Sequence, residues 1–320
     1  MRDVNMSKQI HLTPEAFHID AQEMCKQIET FIRDRFSLSY RDGIVVPISG
    51  GLDSSVVVTL CTRAIGKEKV IGLMLPERLG NPEAKYYGRL IANHLDIKTM
   101  KKNISSILRG LGTSNLFLSA ISGRESWKDF VNWLLKKSSQ SSKAMYIDSL
   151  KGQINPTYRK LLAQVNSKQR ARLLATYKVA DECNLMVAGS SHKTEQMVGL
   201  FVKYGIDDGA DIMPLKNIYR SQLLQLAEYI GIPDEILHRS PNPDILPGIT
   251  DKYQGYLGID YLKVELILFG MQMEMSTDEI ARQLGLDEQT VILIFEIVQL
   301  SENSRSKALG PVLAQMPINM

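Results

Sequence analysis

The sequence predicts an α/β fold, built on a doubly wound and mostly parallel sheet with helices on both faces. Short β-branched runs alternate along the chain with longer segments whose apolar residues recur at helical spacing, as in βαβ units. The short runs are apolar at successive positions, which is typical of strands buried on both faces. With 320 residues, the chain is long enough for one large domain or two small ones.

The predicted strands and helices follow one another in a regular order. Strands are predicted over residues 43–48, 70–75, 98–104 and 185–188. Helices are predicted over residues 13–36, 56–64, 83–95, 164–183, 194–202 and 219–230, with further helical sequence over 255–300. The first helix is expected to start at Thr13-Pro14-Glu15. We expect one domain over 1–320, with an N-terminal helix in 13–40, an α/β core over 43–235 and C-terminal helices over 255–300.

Residues 105–165 interrupt this alternation. They are rich in Ser and Lys, and Trp127 and Trp133 fall in one amphipathic patch. Loops of this length without regular structure are uncommon inside a compact domain. We therefore expect an insertion that packs on the surface and is partly mobile.

Composition and charge exclude several classes of protein. The net charge of +3 is spread without long blocks, so we expect no nucleic-acid partner. The N-terminus lacks an apolar signal core, and no run of about 18 apolar residues predicts a membrane span. Cys25, Cys61 and Cys183 are far apart and form no CxxC, which argues against a disulfide framework or zinc site. A reducing cytoplasm is the expected location.

A glycine-rich loop joins the first predicted strand to the next helix. It reads Ser49-Gly50-Gly51-Leu52-Asp53-Ser54-Ser55. Two glycines let the backbone approach a ligand closely, and the following helix directs its N–H groups and positive end to the same place. We expect the serine hydroxyls to point there too, and Asp53 to bind a magnesium ion that bridges phosphates. The alternative is an ordinary strand-to-helix turn.

The motif SGGLDSS resembles the signature of the N-type ATP pyrophosphatases. The resemblance implies an adenine nucleotide alpha-hydrolase-like fold, ATP as co-substrate, and a reaction that adenylates a substrate and releases pyrophosphate. The chain contains no GxxxxGK[ST], so the loop is not a Walker loop. This motif sets the class of reaction and leaves the substrate open.

Three later segments resemble the NAD synthetase family. They are NSKQRARL at 166–173, VAGSSHKTE at 187–195 and FVKYGIDDGADIMPL at 201–215. The resemblance implies that Arg170, Lys203 and Asp211 bind deamido-NAD. It also implies that Glu195 holds Mg²⁺ together with Asp53, and that these two residues serve catalysis. The residues whose matching positions bind ATP in the family are Ser190, Arg220 and Asn242, besides those of the loop 49–55.

Local spacing adds detail to these assignments. Arg170 and Arg172 are two positions apart on a helix, so at most one of them can face a given pocket. The loop after Lys203 carries one residue more than the family pattern. His192 is expected at the surface, and we assign it no role.

The resemblance implies an ammonia-dependent ligase that converts deamido-NAD, ATP and ammonia to NAD, AMP and pyrophosphate. It also implies a homodimer, with the 164–183 helix as a candidate interface element. No cysteine has the histidine–acid context of a glutaminase, although a separate glutaminase subunit stays open. The insertion, and a tail at 302–307 without the family's His-Lys pair, favour an alternative in which another small carboxylate is amidated.

Residues 278–291 present a different possibility. Their pattern is that of a helix-turn-helix, as in DNA-binding regulators. The second helix, EQTVILIFEIV, is apolar and acidic, so it is poorly suited to contact phosphates. Two short helices packed at the end of the domain are therefore expected instead.

Overall fold

Four parallel strands form the sheet of the computed structural model, which describes residues 11–78, 80–81, 83–113, 141–241 and 251–307. The strands are β1 (Gly43–Pro47), β2 (Val70–Met74), β3 (Lys98–Lys101) and β4 (Leu185–Val187), in the spatial order β3-β2-β1-β4. Ile44 of β1 pairs with Val70 of β2 and with Met186 of β4. The predicted α/β fold and its parallel strands are confirmed. Trp127, Trp133 and Asn242 lie outside the described residues.

The direction of the strand order reverses at β1. From β1 the chain steps to β2 and then to β3 on one side, whereas β4 returns to pair with β1 on the other side. Because all four strands are parallel, the loops after β1 and β4 leave the sheet at the same edge. Open α/β sheets bind ligands in the crevice at such a reversal.

Helices surround this sheet and continue beyond it. In chain order, the described residues form α1 (Ala21–Ser39), α2 (Leu52–Ile65), α3 (Glu83–His94), α4 (Ser105–Gly110), α5 (Ser142–Leu150), α6 (Pro156–Cys183), α7 (Lys193–Val198), α8 (Arg220–Tyr229), α9 (Asp234–Leu237), α10 (Lys252–Leu257), α11 (Tyr261–Gln272), α12 (Thr277–Leu284), α13 (Glu288–Leu300) and α14 (Glu302–Arg305). Short 3-10 helices span Pro14–Phe17 and Lys67–Lys69.

Alternate residues of β1 face opposite layers of the core. Ile44 and Val46 are buried against α1, α2, α3 and α8, whereas Val45 is buried on the other face against α6. A strand buried on both faces needs apolar residues throughout, as the sequence predicted. A second apolar cluster, centred on α11 and α13, packs at the end of the chain.

Three predicted helix boundaries were wrong. Thr13-Pro14-Glu15 opens only the 3-10 helix, and α1 begins later because the side chain of Asp20 accepts a hydrogen bond from the Glu23 N–H at 3.0 Å. The predicted 164–183 helix begins earlier, at Pro156, where Asn155 caps it in the same way. Helix α7 ends before the predicted residue 202 because Gly199 has a left-handed φ of +74°.

Most of residues 141–165, which we expected to pack on the surface, are helical and bury apolar side chains. They form α5 and the first part of α6, where Met145, Tyr158 and Leu161 are buried in one cluster with Ile154. This part of the expected insertion is therefore built into the fold.

The helix pair α12 and α13 packs as expected. Val291, Ile294 and Ile297 of α13 are buried against α11. The apolar face of α13, the second helix of the helix-turn-helix pattern, therefore packs in the core. In the described part of the chain, no helix is long and apolar enough to cross a bilayer.

Candidate active site

The glycine-rich loop follows β1 and leads into the N-terminus of α2. Gly50 adopts a left-handed φ of +75°, and a Cβ at this position would lie 2.4 Å from the Cβ of Tyr87. Gly51 is the N-cap of α2. The first N–H groups of a helix lack intrahelical acceptors, and the helix dipole makes this end positive. The loop therefore offers a backbone site for an anion such as pyrophosphate.

Two serine hydroxyls of the loop differ from the prediction. We expected them to point at the ligand. Instead, the buried hydroxyls of Ser54 and Ser55 donate to the carbonyl of Gly51 at 3.2 and 2.8 Å. The Ser54 hydroxyl also accepts from the Ser49 N–H at 3.3 Å. These serines hold the loop's shape, and Leu52 is buried in the core, so its side chain cannot face a ligand.

Two carboxylates face each other across the reversal of strand order. Asp53 lies in the first turn of α2, after β1, and Glu195 lies in the first turn of α7, after β4. Asp53, Glu195 and His192 offer ligand atoms that all lie within 4.8 Å of one another. Ser190 lies half-buried in the same loop between β4 and α7. The structure thus brings together residues that the sequence placed in separate motifs.

His192 is buried in the site, so the expected surface position was wrong. Its side chain is 0% exposed, and its Nε2 lies 3.3 Å from the hydroxyl of Tyr253 and 3.8 Å from Glu195 Oε2. Burial lowers the pKa of His192, so the ring is neutral near pH 7. A neutral imidazole leaves a nitrogen lone pair free for a metal or a hydrogen-bond donor.

Two buried cations balance the carboxylates. Lys252 is ion-paired with Glu195, and its Nζ lies 4.0 Å from Asp53 Oδ2. The guanidinium of Arg220 lies 3.6 Å from Asp53 Oδ1 and is 4% exposed. Arg220 was predicted from its match to an ATP-binding position. Lys252 was missed, because Asp251-Lys252-Tyr253 matched no motif and follows α9 in sequence.

These charges shift the pKa values of the acidic groups. Burial alone would raise the pKa of Glu195, but the charge and hydrogen bond of Lys252, together with the other neighbouring cationic groups, hold that pKa well below its usual range. Burial raises the pKa of Asp207 to about 7, with a further contribution from the negative charge of Glu195. Asp207 belongs to the loop that has one residue more than expected, and no role had been assigned to it.

The carboxylates fit a divalent metal ion. Among the described residues, the buried Oδ1 of Asp53 and Nδ1 of His192 have no hydrogen-bond partner. Buried polar atoms without a hydrogen-bond partner are uncommon, and a divalent cation would give both of these atoms a partner. Hard carboxylate oxygens suit Mg²⁺, which is bound by one or two carboxylates together with phosphate oxygens.

A buried glutamate joins the helices that carry Glu195 and Arg220. Glu265 of α11 accepts from the hydroxyl of Thr194 at 2.6 Å and from the backbone N–H of Ser221 at 3.2 Å. Its side chain therefore links the start of α7 to the start of α8. Sequence reasoning missed Glu265, because it falls inside an apolar helix with no recognisable motif.

A cavity of about 290 Å³ lies beside Lys252, the ion-pair partner of Glu195. Arg170, Lys203, Asp207 and Lys252 line it, together with the aromatic rings of Tyr146, Tyr158 and Tyr256. The guanidinium of Arg170 donates to the Lys203 carbonyl at 3.2 Å, and the Lys203 ammonium donates to the Asn303 carbonyl at 2.7 Å. Cations and aromatic rings together suit an anionic ligand that carries a flat ring.

Asp211, a predicted substrate-binding residue, and Arg172, the neighbour of Arg170 on α6, lie apart from this cavity. Asp211 does not line it; its carboxylate accepts from the hydroxyl of Tyr177 at 2.9 Å and from the Val187 N–H at 2.8 Å. Arg172 points away from Arg170, as the spacing predicted, and pairs with Glu77 at 3.2 Å. Asn242 lies in the part of the chain that is not described.

Comparison with known proteins identifies the family. The model of the NAD synthase family matches residues 24–121 and 119–308. The chain belongs to the NAD synthase family. Its similarity to this family runs from α1 to the end of α14 and includes the loop 49–55, Glu195 and the cavity residues.

Individual relatives agree with the family assignment. The chain is 32% identical over 292 residues to the NH(3)-dependent NAD(+) synthetase of Mesorhizobium japonicum, covering 87% of this chain and 91% of the relative. It is 30% identical over 285 residues to the enzyme of the same name from Methanocaldococcus jannaschii, covering 89% and 95%. The NAD synthase family match therefore extends over nearly the whole length of these proteins.

Solved structures share the fold. NMN synthetase from Francisella tularensis superposes with a TM-score of 0.66 at 20% identity, covering 92% of this chain and all of that chain. An NH3-dependent NAD synthetase from Campylobacter jejuni, in complex with nitrate, gives a TM-score of 0.63 at 21% identity, with the same coverage of both chains. These two likenesses support the α/β fold assigned to this member of the NAD synthase family.

Proposed function

We propose that this protein adenylates the carboxylate of deamido-NAD with ATP and then amidates it with ammonia, giving NAD, AMP and pyrophosphate. The observation that carries the proposal is that Glu195 lies beside Asp53 at the N-terminus of α2, and that Lys252, the ion-pair partner of Glu195, lines the same cavity as Arg170 and Lys203. Membership of the NAD synthase family supports the same chemistry.

A free carboxylate is a poor acyl donor, so adenylation comes first. An oxygen of the substrate carboxylate attacks the α-phosphorus of ATP, the bond to the β-phosphate oxygen breaks, and pyrophosphate leaves. Ammonia then attacks the carbonyl carbon, and AMP leaves with the electron pair of the acyl–oxygen bond. The loop 49–55 binds the β- and γ-phosphates through its backbone N–H groups and the N-terminus of α2.

The site residues divide between the two substrates. Asp53 and Glu195 hold Mg²⁺, which neutralises charge on the phosphates when it is bound. Ser190, Arg220 and Asn242 contact ATP, and Arg220 already lies at the metal site. Arg170 and Lys203 hold the anionic part of deamido-NAD in the cavity. Asp211, which is exposed, contacts the substrate from outside the cavity.

We further propose that the working unit is a homodimer of a single-domain chain in the cytoplasm. All three cysteines are free, which suits a reducing compartment. The exposed Leu174 and the exposed Tyr204 lie on and beside the long helix α6, the expected interface element. Light scattering at micromolar concentration tests the dimer, and a fully active monomer contradicts it.

Product analysis tests the reaction. Purified protein is incubated with ATP, Mg²⁺, ammonium and one acid at a time: deamido-NAD, its mononucleotide acid, or an unrelated small carboxylate. We expect AMP and pyrophosphate with deamido-NAD. Formation of ADP and phosphate contradicts adenylation, whereas pyrophosphate release with only another acid favours the alternative substrate.

The nitrogen source is tested in ammonia-free buffer. We propose free ammonia as the donor, because the pKa of Cys25 is raised to about 11 and that of Cys61 to about 12 by burial, which suppresses the nucleophilic thiolate. Glutamine alone is expected to support no turnover. Equal rates with glutamine and with ammonium, in the absence of any added protein, contradict this part of the proposal.

A further inference from the structure

Lys252 occupies the junction between the two halves of the site. It is the first residue of α10, it is 8% exposed, and its Nζ is ion-paired with Glu195. The same side chain lines the cavity that contains Arg170 and Lys203. Its ammonium therefore lies where an ATP on the metal side and an acid in the cavity would meet.

The position of the ammonium conflicts with a metal ion. Lys252 Nζ lies between the same two carboxylates, Asp53 and Glu195, that fit a divalent cation. When a doubly charged ion binds these oxygens, it weakens the attraction that holds the ammonium and repels it directly. A buried ammonium is costly without an anionic partner, so Lys252 must pair with a different anion.

The nearest new anions are supplied by the substrates. Arg220 pairs with Oδ1 of Asp53, whereas Lys252 approaches Oδ2 of Asp53 and also lines the cavity. The four-carbon stem of lysine lets Nζ turn toward the cavity without movement of α10. At that side the α-phosphate of ATP must meet the carboxylate that attacks it.

We propose that Lys252 is a catalytic residue of the adenylation step. When the metal binds, the ammonium of Lys252 leaves Glu195 and pairs instead with the α-phosphate of ATP. This inference rests on the proposed function. Lys252 donates hydrogen bonds to the non-bridging oxygens of the α-phosphate while the carboxylate oxygen bonds to phosphorus and the bond to pyrophosphate breaks. The ammonium keeps its proton throughout, and it stabilises the charge that builds up on these oxygens.

The test uses two variants and two measurements on the whole chain. Lys252→Met keeps the length of the side chain and removes the charge, and Lys252→Arg keeps the charge. Lys263→Met, at an exposed position of α11, is the matched control. Mn²⁺ affinity is measured by electron paramagnetic resonance without substrates. Adenylation is measured as ATP–pyrophosphate exchange that depends on deamido-NAD, without ammonia and at saturating Mg²⁺.

We expect Lys252→Met to bind Mn²⁺ about 10-fold more tightly, because a competing cation is gone, and to lose exchange by about 10²-fold. Lys252→Arg should retain more exchange than Lys252→Met, and Lys263→Met should match the unsubstituted protein in both measurements. Circular dichroism confirms that each variant is folded before it is compared.

Two results contradict the role of Lys252. Tighter Mn²⁺ binding with unchanged exchange makes Lys252 only a counter-ion of the empty site. Unchanged Mn²⁺ affinity with a lowered melting temperature makes it only a structural residue. Absence of exchange in the unsubstituted protein contradicts the proposed function itself. Exchange that is normal in the unsubstituted protein and survives in Lys252→Met contradicts only the role of Lys252.

Discussion

The carboxylate of Glu265 accepts the backbone N–H of Arg220 at 2.6 Å, at the first residue of α8. The same carboxylate accepts hydrogen bonds from the side chains of Thr194 and Ser221, so both of its oxygens have donors within the protein. A negative charge at a helix N-terminus is favourable, and burial makes its hydrogen bonds hard to replace. Glu265 thus holds the start of α8, with Arg220, against α7, with Glu195.

Replacing Glu265 with Gln tests this link. The amide nitrogen of Gln cannot accept the N–H and hydroxyl of Ser221, so we expect a loss of about 1–3 kcal/mol in the free energy of unfolding. Displacement of Arg220 should also raise KM for ATP more than it lowers kcat. Denaturant unfolding and steady-state kinetics measure both effects. Glu228→Gln, at an exposed position of α8, is the control and should change neither. An unchanged KM would show that Glu265 is only structural.

Removing either carboxylate of the proposed metal site should abolish most activity. Asp53→Asn and Glu195→Gln each take one formal charge from the group formed with His192. We expect turnover to fall by about 10²-fold or more at saturating Mg²⁺, measured as pyrophosphate release. Weaker Mn²⁺ binding should accompany the loss. Glu182→Gln, which removes a surface partner of Lys178, serves as the control. Near-normal turnover in either site variant contradicts the assignment of the metal ligands.

Two glycine variants separate backbone strain from crowding in the phosphate loop. Gly50 and Gly231 have nearly the same left-handed φ, +75° and +74°, but only a Cβ at Gly50 meets other atoms. Both alanine variants should lose about 1–2 kcal/mol of unfolding free energy from φ strain. Gly50→Ala should lose about 1–3 kcal/mol more from overlap with Tyr87, and its ATP affinity should fall. Equal stability of the two variants would rule out the crowding.

The carboxyl of Asp207 should make stability depend on pH in an unusual direction. Its pKa is raised from 3.8 to about 7, so the folded protein holds a proton that the unfolded chain releases between about pH 4 and pH 7. The contribution of Asp207 to stability therefore falls as pH rises through this window. Asp207→Asn removes this pH dependence. The free energy of unfolding of the variant minus that of the parent should therefore be about 1–2 kcal/mol larger at pH 7.5 than at pH 4.5.

Thermal unfolding of both proteins without divalent ions measures this difference. Groups that titrate in both proteins contribute equally to the stability of each, so their contributions cancel when the stability of the parent is subtracted from that of the variant. An exposed control, Asp234→Asn, accounts for the loss of a charge as such; Asp234 is the first residue of α9. A parent that gains stability over Asp207→Asn as pH rises would show that the pKa of Asp207 is not raised.

The part of the fold that sequence predicted was encoded locally. The runs at β1 and β2 are apolar at successive positions, and each is followed by a helix whose apolar residues recur at helical spacing. These elements can therefore be predicted without knowing what they pack against. Asp53 was recognised because Gly50 and Gly51 precede it within one short motif. Glu195 was likewise recognised beside Ser190 and close after a strand.

The rest depends on contacts between distant segments. Lys252 acquires its importance only because α10 folds back onto α2 and α7, and nothing in its neighbours signals that. His192 is polar and lies in a loop, which favours the surface until Tyr253 covers it. The hydroxyls of Ser54 and Ser55 turn inward because the loop's own carbonyl at Gly51 is the nearer acceptor. None of these can be read from spacing alone.

The sheet order sets the sequence of events during synthesis on the ribosome. β1 is made early, but one of its two edges is covered only when β4 emerges, and Glu195 follows β4. At about 5–20 residues per second, roughly 7–30 s pass between translation of Asp53 and of Glu195. Until β4 is made, that edge of β1 has no strand partner, and unpaired strand edges promote aggregation. Assembly of the proposed metal site and pairing of that edge therefore both wait for the same late segment.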